Sequence, residues 1–265
     1  MRHRPAQSQG ASRFEPPPPP ACVYGRQPVQ EVLRARRRRI TRLLLQDSLR
    51  QAPELQELIA SARAAGAEVS FSDRRELDRL AQGGHHQGVV LEAGGYPYME
   101  LDAIISKAEG TKNQLWLILD HLMDPHNVGA LLRTADAVGV TGVLIPVDRA
   151  VEITDAVVRA SAGATEHVQV ARVTNLVRAM KLLQEHGLWF YGLEAVPDAT
   201  LYTTADFKGH VGLVLGSEGE GIGRLVRETC DFLIRIPLQG RVESLNVSVA
   251  GAVAMYEVLR QRGAG

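Results

Sequence analysis

The stretch Leu115-Trp116-Leu117-Ile118-Leu119-Asp120-His121-Leu122-Met123-Asp124-Pro125-His126-Asn127-Val128-Gly129 decides the reading of the fold. Its opening apolar run is too short for a buried helix and suits a strand covered on both faces. Pro125 keeps Asp124 out of the helical region, Asn127 is placed as an N-cap, and a helical pattern runs on to Val138. The same alternation repeats to the C-terminus. Strands are expected at 115–119, 143–145, 168–171, 188–193, 211–215 and 232–236, with helices at 128–138, 154–162, 176–186, 222–229 and 245–262. Apolar strands joined by helices predict an α/β fold with a parallel sheet. Ligands in such sheets bind beyond the carboxyl ends of the strands, so the chemistry is expected just after them.

Upstream, 21–94 reads as a small α/β unit and 95–114 as a linker, leaving 115–265 for the larger domain. Residues 1–20 form a polar leader ending in Pro16 to Pro20, a composition that favours polyproline II or disorder. The 265 residues carry 30 basic and 30 acidic side chains, but unevenly. Residues 1–50 hold eleven arginines against Glu15, Glu31 and Asp47, so the rest of the chain is acidic. A basic front end points to an anionic partner, nucleic acid being the commonest; a solvated tail with an Arg-rich helix end is the plainer reading. Cys22 and Cys230 alone form no disulfide framework and no thiolate zinc site. No apolar run approaches the roughly 20 residues that span a bilayer. With no apolar signal stretch at the N-terminus, a cytoplasmic location is expected.

Three segments after strands carry the candidate chemistry. The first places Arg133 inside the helix that Asn127 opens. Its guanidinium suits a phosphate, although an ordinary capped helix with a surface arginine has the same pattern. The second, Gly216-Ser217-Glu218-Gly219-Glu220-Gly221-Ile222-Gly223, lets backbone approach a ligand but lacks a phosphate-loop lysine. Its acids favour a neutral or cationic ligand such as a sulfonium or adenosine. The third runs Ile236-Pro237-Leu238-Gln239-Gly240 and then Ser244-Leu245-Asn246-Val247-Ser248, with Ser244 placed as an N-cap.

Together the three segments resemble the motifs of the SpoU (TrmH) family, RNA ribose 2′-O-methyltransferases of the SPOUT superfamily. The front unit is also similar to that family's substrate-binding domain, through Val23-Tyr24-Gly25 and His86-Gln87-Gly88-Val89-Val90. Leu119-Asp120, Asp124 to Asn127, Arg172 to Leu176 and Leu201-Tyr202 resemble the members that methylate a guanosine of 23S ribosomal RNA. The resemblance implies a knotted SPOUT domain, with a deep trefoil knot, behind a small RNA-binding α/β domain of ribosomal-protein type. It also implies a homodimer with its RNA site across the interface, S-adenosylmethionine as cofactor and no metal. Backbone of Gly216, Ile236 and Leu245 would hold the cofactor, with Leu238, Ser244 and Asn246 lining the same pocket. Arg133 would clamp an RNA phosphate and polarise the 2′-hydroxyl. Asn127 would hold the ribose or fix Arg133, Glu218 would orient them, and Ser244 and Asn246 would complete the site. Transfer RNA and resistance-type rRNA sites are alternative targets. A non-catalytic RNA-binding assembly factor is the alternative of another class.

RNA contacts are expected from Arg26, Arg36, Arg37, Arg38 and Arg39, with Tyr24 stacking on a base. His85-His86 reads as a loop pair, Cys230 as a small core residue, and Trp116 and Trp189 as core.

Overall fold

A computed structural model describes residues 21–241 and 244–263; the proline-rich leader lies outside the described residues. The front unit runs β1 (Ala21–Tyr24), α1 (Arg26–Ala35), β2 (Ile40–Gln46), α2 (Gln56–Ala64), β3 (Glu68–Ser72), α3 (Arg74–Leu80) and β4 (Val89–Ala93). Its sheet has the order β1-β4-β2-β3, with only β2 and β3 parallel. Val29, Val32 and Leu33 form the buried stripe of α1, and Leu43, Leu44 and Leu45 of β2 are fully enclosed. The sequence gives no warning of β1, since four residues show no period until β4 pairs with them.

Helix α4 (Leu101–Ala108) leads into the second sheet: β5 (Leu115–Leu119), α5 (Pro125–Val138), β6 (Gly142–Pro146), α6 (Asp155–Ala160), β7 (Val170–Val173), α7 (Leu176–Glu185), β8 (Trp189–Leu193), β9 (Thr200–Leu201), β10 (Val211–Leu215), α8 (Arg224–Thr229), β11 (Phe232–Arg235) and α9 (Val247–Gln261). The order is β7-β6-β5-β10-β8-β11-β9 and every pairing is parallel, as the apolar alternation predicts. Leu131, Leu132, Ala254 and Met255 of α5 and α9 cover one face over Leu117, Leu119, Leu213 and Leu215. Ile104, Met180, Leu183 and Val226 of α4, α7 and α8 cover the other over Ile118, Leu144 and Val214. β5 and β10 are buried throughout and form the centre of the sheet.

Several expectations shift. β7 begins at Val170 rather than 168, because the carbonyl of Val168 is engaged outside the sheet by Arg37 and Tyr96. The helix expected to 162 stops at Ala160 and tightens into a 3-10 turn at Ala164–Glu166. The two residues of β9 are too few to read from sequence. Trp116 is core, whereas Trp189 is 54% exposed beside Phe232, since β8 begins at the open end of the sheet. The close approach permitted by Gly129 is to α6: an added Cβ would lie 2.9 Å from the Val157 carbonyl oxygen.

Candidate functional site

Two loops meet at the carboxyl ends of β10, β8 and β11. The first closes on itself, the backbones of Ser217 and Gly221 exchanging 3.0 Å hydrogen bonds in both directions. Gly219 (φ 94°) and Gly221 (φ 69°) sit in the left-handed region that glycine adopts without penalty. A Cβ on Gly216 would collide with the backbone of Gly221 and Ile222, so only glycine lets this loop fold back. Two carboxylates pin its far end. Asp120, fully buried, accepts from the Gly223 N–H at 2.7 Å, and Glu194 accepts from the Ile222 N–H at 3.2 Å.

The second loop, after β11, carries the segment that opens α9. Between the loops lies a cavity of about 750 Å³. Gly216, Ile236, Leu238, Ser244, Leu245 and Asn246, all expected to hold a ligand, line it together with Glu194, Glu218, Glu220 and Arg227. Sequence reasoning missed Glu194 and Arg227, which form a 3.0 Å ion pair at the rim. Their only signal was a carboxylate just after a strand, Glu194 following β8.

At the lip, three side chains from separate elements form a closed triangle. Asn127 on α5 donates from Nδ2 to Glu218 Oε1 at 2.9 Å. Asn246 donates from Nδ2 to the same oxygen at 2.8 Å and lies 2.9 Å from Asn127 Oδ1. Asn246 Oδ1 also accepts from the N–H groups of Ser248 (3.0 Å) and Val249 (3.4 Å) and from the Ser248 hydroxyl (2.6 Å). Asn246, not Ser244, is therefore the N-cap of α9, and this assignment corrects the sequence reading. Asp124, not Asn127, caps α5, accepting from the His126 N–H at 3.0 Å with Pro125 at the first helical position. Asn127 stands one turn further in, buried, with its amide free to reach across.

Arg133 does not line the cavity. It lies six residues beyond Asn127 on α5, about 9 Å along the axis and a third of a turn round, on the exposed flank.

Of the expected RNA contacts, Arg36 and Arg39 are exposed, and Arg26 is half-exposed against Glu54 at 3.4 Å. Arg38 is buried and Arg37 half-buried, and oxygens of the second unit take donors from both. Tyr24 is 7% exposed with the Arg159 guanidinium 4.5 Å from its ring, so it is not free to stack on a base. His86 is buried, with Nε2 3.0 Å from Asp78 and Nδ1 accepting from the Gly88 N–H. Burial, with Asp231 and Glu194 nearby, pushes the Cys230 thiol up to about 12. Among the described residues no His, Cys, Asp and Glu group is arranged to hold a metal, and no helix is long and apolar enough to cross a membrane.

Residues 114–256 match the SpoU rRNA Methylase family, and residues 22–99 match RNA 2′-O ribose methyltransferase substrate binding. The chain is 43% identical over 241 residues to the putative TrmH family tRNA/rRNA methyltransferase YacO of Bacillus subtilis, across 91% of this chain and 95% of that one. It is 44% identical over 243 residues to the 23S rRNA (guanosine-2′-O-)-methyltransferase RlmB of Pseudomonas aeruginosa, across 91% and 96%. Among solved structures, the AdoMet-bound rRNA methyltransferase from Sinorhizobium meliloti aligns with TM-score 0.77 at 24% identity, across 91% and 87%, a likeness of fold.

Proposed function

Because the chain belongs to the SpoU rRNA Methylase family, we propose that it transfers a methyl group from S-adenosylmethionine to a ribose 2′-hydroxyl, at a guanosine of 23S ribosomal RNA. The observation that carries this reading is the Asn127–Glu218–Asn246 triangle at the lip of a ligand-sized cavity, joining segments distant in sequence. The residues present suit the cofactor. Gly216 lets the 216–223 loop fold back so that its backbone lines the cavity, and Glu194, Glu218 and Glu220 make the lining acidic, which suits a sulfonium. Bound there, S-adenosylmethionine supplies an electrophilic methyl group.

The chain's own residues supply position and proton control. Glu218 fixes the amides of Asn127 and Asn246, leaving Asn127 to orient the ribose. Ser244, Leu245, Ile236 and Leu238 would enclose the donor, and positioning of reacting groups of this kind is worth about 7–11 kcal/mol. Arg133 clamps an RNA phosphate with its planar fork and polarises the 2′-hydroxyl, and that phosphate is one candidate acceptor for the hydroxyl proton. The guanidinium, which has only N–H groups to offer, is a donor here and not the base. From the exposed flank of α5 it meets RNA that lies across a dimer interface. Val249 and Tyr256, seven residues apart on α9 and about half exposed, supply an apolar stripe for that homodimer.

The chain after β11 is proposed to thread the 216–223 loop as a trefoil knot, since both loops line one cavity. Residues 21–94 would be the RNA-binding domain, 95–114 the linker and 115–265 the catalytic domain, working on cytoplasmic rRNA. Arg36 and Arg39 then remain as its phosphate contacts, each adding about one unit to the salt slope of RNA binding. The test is methylation of a 23S rRNA fragment with labelled S-adenosylmethionine, followed by mapping of 2′-O-methyl marks. Arg133→Ala should abolish transfer with cofactor affinity unchanged, and Arg133→Lys should be nearly as poor. Wild-type turnover by the Ala variant removes Arg133 from the chemistry.

A further inference from the structure

The four consecutive arginines separate by direction. Arg36 and Arg39 face solvent, while Arg37 and Arg38 enter a joint between the front unit and the parallel-sheet unit. Arg38 grips Glu166 with two donors, Nε to Oε2 at 3.0 Å and Nη2 to Oε1 at 2.5 Å; both side chains are essentially fully buried. Arg37 donates to the carbonyls of Glu166 (3.0 Å), Val168 (2.9 Å) and Pro97 (3.1 Å). The Tyr96 ring lies beneath both guanidinium groups, 5.5 and 5.3 Å away, with its hydroxyl 2.9 Å from the Thr165 oxygen and 3.0 Å from that of Val168. On the flanks, His167 pairs with Glu31 at 2.9 Å. Gly163 (φ 88°) lies so near α1 that a Cβ would meet Glu31 Cβ at 2.7 Å.

Apolar residues of similar volume would hold such a surface together as firmly as a buried ion pair. A two-point guanidinium–carboxylate fork adds a defined angle, which apolar contact does not. We propose that the Arg37–Arg38–Glu166–Tyr96 joint holds the front unit at one fixed angle to the methyl-transfer cavity. RNA gripped by the front unit then presents a single ribose to that cavity. Arg38 and Glu166 are thus positioning residues that select the methylated nucleotide and touch neither RNA nor cofactor. This inference rests on the RNA methyltransferase reading.

The test uses the full chain with Cys22 and Cys230 replaced by serine and spin labels on Glu57→Cys and Lys181→Cys, exposed positions in the two units. The parent should give one narrow distance distribution, with or without RNA. Glu166→Gln should broaden it and leave S-adenosylmethionine affinity within about twofold. At saturating RNA its kcat should fall tenfold or more, or methyl groups should appear on neighbouring nucleotides. If Glu166→Gln does not fold, Arg37→Gln reads the same joint without stranding a buried charge. An unbroadened distribution in the folded variant overturns the proposal, as does a broadened one with kcat and target nucleotide unchanged. Should the parent itself neither bind S-adenosylmethionine nor methylate RNA, the functional reading fails, while the distance measurement still judges the joint.

Discussion

At Gly216 one added methyl group decides whether the 216–223 loop closes, because the space it would take is already filled by the backbone of Gly221 and Ile222. Gly216→Ala should therefore abolish S-adenosylmethionine binding by calorimetry while both units stay folded by circular dichroism; retained binding would show the loop has room to yield. Glycine density in 216–223 was plain in the sequence, but which glycine is obligatory was not, since that depends on a neighbour five residues on. Cys230 gives a pH test. Its thiol is held near 12, against 9.0 for a free one, so at pH 8 it carries far less of the reactive thiolate. Iodoacetamide should label it at least about a hundredfold more slowly in the native protein than in denaturant. Comparable rates would mean that the site opens to solvent.

Asn246 shows how an element's end becomes part of a site. One amide oxygen caps α9 while its nitrogen joins the triangle with Glu218 and Asn127. Asn246→Asp keeps the cap, and a carboxylate suits a helix N-terminus, yet it loses the donor and sets like charge beside Glu218. Its melting temperature should stay near that of the parent, while methyl transfer falls about 10- to 100-fold, the value of a hydrogen bond to a charged group. Asn246→Ala should lose activity and also about 1 kcal/mol of stability from the missing cap. Equal melting of the two variants would separate the cap from stability. The sequence marked 244–246 as a helix start but put the cap at Ser244. Both residues are good caps, and only the path of the second loop decides which backbone N–H groups each can reach.

For the whole molecule, the joint between the units governs both stability and aim. Removing the Glu166 charge strands Arg38 in a site sealed from water, at a cost of about 3–5 kcal/mol. Burial pushes the Tyr96 phenol from 10.0 up to about 12, so the joint holds its neutral form. The stability it lends is whole below about pH 10 and is lost as pH rises towards 12. Melting temperature should thus fall more steeply over that window in the parent than in Tyr96→Phe; parallel curves would mean that Tyr96 anchors nothing. The sequence by itself determined the alternation of strands and helices, the parallel sheet and the three segments beyond its strands, because burial on both faces leaves an apolar run that no neighbour has to confirm. It presented 36–39 as one basic patch. Tertiary structure alone decided that Arg37 and Arg38 turn inward to Glu166, 128 residues from Arg38, because a buried charge goes wherever an opposite charge is enclosed with it, and no local pattern records that partner.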